Sequence, residues 1–112
     1  MSKHFKELLQ HILDECIFIQ NVIPPDKSKE DFLEDETLKR AVVRSIEIIG
    51  EATKRIPEDI RSQWKAIQWK KMAGMRDKLI HDYFGINYLI IWDVIRKKIP
   101  ELSEQIKVIL KK

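Results

Sequence analysis

Residues 5–19 read FKELLQHILDECIFI, and the spacing of their apolar side chains decides the fold class. Phe5, Leu8, Leu9, Ile12, Leu13, Cys16, Ile17 and Ile19 follow the three-and-four spacing that marks a helical face. The pattern predicts a first helix from Lys3 to Val22, ended by Pro24-Pro25-Asp26. Period-two alternation is absent and only three glycines occur, so strands find little support. The helical period returns between Asp35 and Ile56, where Leu38, Val42, Ile46, Ile49, Thr53 and Ile56 form one stripe. Val43 and Ile48 lie off that stripe, which points to burial on more than one side.

Between and beyond these two helices the pattern is more broken. The stretch 27–36 is a polar connection with one short helical turn, apolar only at Phe32 and Leu33. Pro57 stops the second long helix, and Pro57-Glu58-Asp59 opens a short one reaching Trp64. A further helix is expected from Trp69 to about Tyr83, with Met72, Met75, Leu79 and Ile80 as core and Gly85 as C-terminal cap. Asn87 caps a helix carrying Leu89, Ile91, Trp92, Ile95 and Ile99 that should end at Pro100. Leu102, Ile106, Ile109 and Leu110 give a short terminal helix. The expectation is one all-α domain over residues 1–112, an up-and-down bundle of four to five helices.

Bulk properties narrow the function classes. The 112 residues carry 44% hydrophobic and 35% charged side chains, the profile of a helical globular protein rather than a disordered chain. A net charge of +3 is compatible with a polyanionic ligand without demanding one. Cys16 stands alone on an apolar stripe, so it reads as a small buried hydrophobe and excludes an internal disulfide or thiolate cluster. Neither a signal segment nor a membrane span is visible, which makes a cytoplasmic location the expectation. His4 and His11 lie seven apart on the first helix and read as exposed or packing residues, not as a metal site.

The chemistry concentrates in Arg76-Asp-Lys-Leu-Ile-His81-Asp-Tyr83. Arginine offers phosphate a planar fork of donors. Histidine takes and gives protons near neutral pH. A phenol donates a hydrogen bond, stacks on a base or accepts a transferred group. At 100° per residue Arg76 and His81 stand about 140° apart, so one helix brings them together only at its end. A dimer that faces two motifs across one cleft is the more economical solution. Arg44, Glu47 and Glu51 share a further face of the second helix at i, i+3 and i+7. A plainer reading stays open: Asp77 and His81 as a helix ion pair, Arg76 capping carbonyls or pairing with Glu51, Tyr83 and Phe84 finishing the core.

Three separated stretches carry a family resemblance. They are residues 36–52 (ETLKRAVVRSIEIIGEA), 69–85 (WKKMAGMRDKLIHDYFG) and Ile91-Trp92-Asp93. Together they resemble the HepT-like family of the HEPN superfamily, in the right order and across nearly the whole chain. The resemblance implies an α-helical homodimer and a metal-independent endoribonuclease toxin that needs no cofactor. It implies an RNA substrate, such as tRNA or mRNA, and a cognate MntA-like nucleotidyltransferase as antitoxin. By position, Arg76 and His81 match the catalytic pair, and Tyr83 matches the tyrosine that accepts AMP. Asp77 replaces a frequent asparagine, and an acid there could orient His81 or repel substrate phosphate. Arg44, Glu47, Glu51 and Asp77 are expected to line the site. The rival expectation is a non-catalytic subunit that presents nucleotide or substrate to a partner nucleotidyltransferase, with Arg76 and Tyr83 binding and His81 structural.

Overall fold

The computed structural model describes residues 4–81 and 85–112, with the side chains of 79–81 outside that description. All its regular elements are helical: α1 (His4–Val22), α2 (Lys29–Glu34), α3 (Glu36–Lys54), α4 (Glu58–Gln63), α5 (Trp69–His81), α6 (Tyr88–Asp93) and α7 (Ile99–Lys111). A π-helical segment, Val94–Lys98, joins α6 to α7. No strand occurs among the described residues. Helix α3 packs between α1 and α5, and α1 also packs on α7, so the neighbours run α5, α3, α1, α7. None of the described helices is long and apolar enough to cross a membrane.

The stripes seen in the sequence become the core. Leu9, Ile12, Cys16 and Ile19 of α1 meet Val42, Ile46 and Ile49 of α3, with Ile99, Leu102 and Ile106 of α7 closing the other side. Cys16 is buried, and burial pushes its thiol up to about 12, with the Glu15 charge adding to the effect. Phe32 of the polar connection is fully buried and rests against the Trp92 ring at 5.5 Å. Arg96 fixes that corner: its Nη2 donates to the carbonyls of Pro24 and Lys27, and its guanidinium lies 4.4 Å from the Trp92 centroid.

The helix boundaries follow from caps. Asp35 accepts the Leu38 amide at 3.0 Å and starts α3. Asn87 Oδ1 accepts the Leu89 and Ile90 amides and starts α6. At the other end of α3, Arg61 donates to the carbonyls of Thr53, Lys54 and Ile56.

Pro100 corrects one expectation. It does not end a helix; the chain stays helical from Tyr88 to Lys111, and Pro100 sits in the first turn of α7. Proline has no N–H for the preceding turn and its ring crowds the carbonyl four residues back. The π-helical widening over 94–98 falls at the turn where that strain arises, which lets the rod continue. The expected continuation of α5 to Tyr83 and the core roles of Leu79, Ile80 and Phe84 lie outside the described residues and side chains. Gly85 has φ 136°, a conformation that suits glycine.

Candidate active site

Gly50 sets the geometry around Arg76. A Cβ added there would stand 2.7 Å from Arg76 Cβ and 3.2 Å from the Met72 carbonyl oxygen. Only hydrogen fits between α3 and α5 at this crossing. The close approach places Glu51, the next residue on α3, beside Arg76 on α5.

A chain of alternating charges follows. Glu51 Oε2 lies 2.9 Å from Arg76 Nε, and Arg76 Nη1 donates to Asp77 Oδ1 at 3.4 Å. Lys54 Nζ donates to the same Asp77 oxygen at 2.7 Å. These side chains are between 34% and 46% exposed, so each pair contributes little stability, about 0.2–1 kcal/mol. Their effect is positional: two α3 residues hold the guanidinium and its neighbouring carboxylate from opposite ends.

Arg76 also lines a groove of about 260 Å³ between α1, α3 and α5. Arg44, Glu47 and Glu51 line it too, so the face inferred from their i, i+3, i+7 spacing does converge on Arg76. Arg44 Nη1 stands 3.9 Å from Glu47 Oε2. Three further lining residues have no local signal in the sequence: Leu8 and His11 from α1, and Arg55 just after α3. His11 reaches the groove because α1 packs on α3, a contact that no local spacing encodes. His4, its expected face-mate, lies 3.9 Å from Glu7 at the start of α1. Among the described residues no cluster of three His, Cys, Asp or Glu side chains could hold a metal ion.

The backbone of His81 is the last of α5, its side chain is not among those described, and Tyr83 lies outside the described residues. The described grouping is therefore Arg76 with Glu51, Asp77, Lys54, Arg44 and Glu47. It can bind an oxyanion through guanidinium donors and hold those donors in place.

The profile of the family described as Ribonuclease HepT-like matches residues 5–109. The chain belongs to the HepT-like ribonuclease family. A protein of Caldanaerobacter subterraneus subsp. tengcongensis, named as a candidate RNase, is 55% identical over 104 residues, spanning 93% of this chain and 92% of its own. A candidate RNase of Methanocaldococcus jannaschii is 46% identical over 108 residues, with 95% and 93% of the two chains covered. A candidate ribonuclease HepT of Thermococcus cleftensis is 40% identical over 103 residues, with 92% and 93% covered. No solved structure matches the chain significantly. For this HepT-like chain the all-helical fold expected from the periodicity agrees with the family, and the match spans α1 to α7.

Proposed function

We propose that this HepT-like protein is the toxin of a toxin–antitoxin pair and acts as a metal-independent endoribonuclease. The observation that carries the reading is Arg76, paired with Glu51 beside a groove it shares with Arg44, in a chain whose family is named for ribonuclease activity. A fixed guanidinium suits a phosphodiester, whose charge grows on its non-bridging oxygens in the transition state.

The chemistry is transesterification. His81 takes the proton of a ribose 2′-hydroxyl, and the 2′-oxygen attacks the adjacent phosphorus. The bond to the 5′-oxygen breaks, the proton passes to that oxygen, and a 2′,3′-cyclic phosphate remains. Arg76 holds the phosphate throughout, and Tyr83 positions it or stacks on a base. Asp77, engaged by Lys54, has its charge partly compensated and so repels phosphate less than an isolated acid would.

Two further parts belong to the same reading. The active unit is a homodimer, which reconciles the angular separation of Arg76 and His81. The exposed Leu89 on α6 offers apolar surface for it. Control comes from a cognate MntA-like nucleotidyltransferase that transfers AMP to Tyr83. The adduct puts a bulky anion where RNA phosphate must bind.

Expression in a host cell tests this function. The wild-type chain alone should arrest growth, His81→Ala should not, and co-expression with an MntA-like nucleotidyltransferase should restore growth with adenylate mass on the Tyr83 peptide. Restored growth with an unmodified peptide would refute the adenylylation step. Growth arrest by His81→Ala would refute the catalytic assignment.

A further inference from the structure

Helix α5 has a second functional-looking side. About 200° around the axis from Arg76 lies Gly74, where an added Cβ would meet nothing within 4 Å. Gly74 lies in a depression of about 440 Å³ between α5 and the 88–98 stretch. Lys70, Lys71, Lys78 and Lys98 line it, and among the described residues no carboxylate does. Met72, Met75, Ile90 and Val94 supply its apolar surface, although Ile90 remains 58% exposed.

Charge distinguishes this depression from the Arg76 groove. In the groove, Arg44 and Arg76 face Glu47 and Glu51. In the depression four ammonium groups share a rim that no described acid lines, and Lys98 is steadied by donating to Gln68 Oε1 at 3.1 Å. An apolar floor with a cationic rim fits a ligand that is flat and apolar in the middle and anionic at its edge. A nucleotide unit of a single strand has that chemistry: the base lies on methionine and isoleucine, and the flanking phosphates meet lysines. Helical register adds continuity, because Lys71, Gly74, Lys78 and residue 81 follow one another at spacings of three, four and three.

We propose that this depression is a subsite for single-stranded RNA, holding a nucleotide of the strand away from the one that is cut. The inference rests on the ribonuclease reading and deepens it by placing part of the substrate on α5 opposite Arg76. The lysines supply salt-sensitive affinity, and the apolar floor supplies a contribution from the base itself.

The test uses a fluorescent 2′-O-methyl RNA octamer, which lacks the attacking hydroxyl and is not consumed, with anisotropy as readout. Gly74→Glu fits the open space, suits a helix better than glycine, and puts a carboxylate among the lysines. It should weaken binding about tenfold or more at 0.1 M salt. Lys71→Ala with Lys78→Ala should lower the slope of log K against log salt by about 1.4, near 0.7 for each phosphate that is no longer neutralised. An abasic residue in the octamer should weaken wild-type binding severalfold and change little in Gly74→Glu.

Wild-type binding that both variants retain would overturn the subsite and leave the ribonuclease reading standing. No binding of the octamer by wild type would overturn both. Equal binding of a polyglutamate of matched charge would also overturn the subsite, showing a surface for acidic protein instead.

Discussion

Gly50→Ala puts the packing of α3 on α5 to a direct test, because two effects of opposite sign compete there. Alanine is the better helix former by about 1 kcal/mol in a helix interior. Against that, the new methyl would lie 2.7 Å from Arg76 Cβ, where carbon atoms normally rest at about 3.5–4.0 Å. Neither neighbour is the loose end of a side chain, since the other is the Met72 carbonyl at 3.2 Å. The helices must therefore part by about 1 Å, and overpacking of this kind costs about 1–3 kcal/mol. The net expectation is a loss of about 1 kcal/mol, a fall in Tm of about 4 °C for a chain of this size. The displacement also moves Arg76 against Glu51, and a misplacement near 1 Å can lower a reaction rate about a hundredfold. Thermal unfolding and RNA cleavage, measured on the same preparations, read both effects. Gly74→Ala is the control: with nothing within 4 Å, it should raise Tm by about 4 °C. A Gly50→Ala protein that matches Gly74→Ala in Tm and keeps full cleavage would refute the close approach as the reason for glycine at this crossing.

Arg96→Ala should cost about 2 kcal/mol by releasing the carbonyls of Pro24 and Lys27 from a charged donor, read by urea unfolding; a change under about 0.5 kcal/mol would contradict the anchoring role. Cys16 should resist a thiol reagent in the folded protein and react once it is unfolded, because its thiol is buried and pushed up to about 12 from the ordinary 9.0. By linkage, the folded chain keeps that proton where the unfolded chain loses it, so stability should fall as pH rises above about 9, and a Cys16→Ala variant should lose that slope. Glu51→Gln should preserve the fold yet reduce cleavage, since it removes the charge 2.9 Å from Arg76 Nε; unchanged cleavage would show that Arg76 needs no such partner.

Much of this architecture is written in local patterns. The i, i+3, i+4 stripes of α1 and α3, the Asn87 cap and the stop before Pro57 depend on neighbours in sequence, and each is visible there. Pro100 misleads because its usual effect is local, whereas the π-helical relief upstream is set by how 88–111 packs as one rod. The convergence of Arg44, Glu47 and Glu51 is legible for the same reason that α3 is: they share one face of one helix. Their meeting with Arg76 needs the α3–α5 crossing, for which Gly50 on the buried face of α3 is the signal. His11, Lys54 and Arg55 carry no such signal, because their relevance comes only from contacts across helices.

In the proposed mechanism Arg76 and His81 cleave RNA through the 2′-hydroxyl without a metal. Purified protein incubated with tRNA in excess EDTA, followed by identification of the fragment ends, tests this most directly. Cleavage should persist in EDTA, the fragments should end in 2′,3′-cyclic phosphate, and neither His81→Ala nor Arg76→Ala should cleave. Cleavage that disappears in EDTA, 3′-hydroxyl ends, or full activity in His81→Ala would contradict the mechanism.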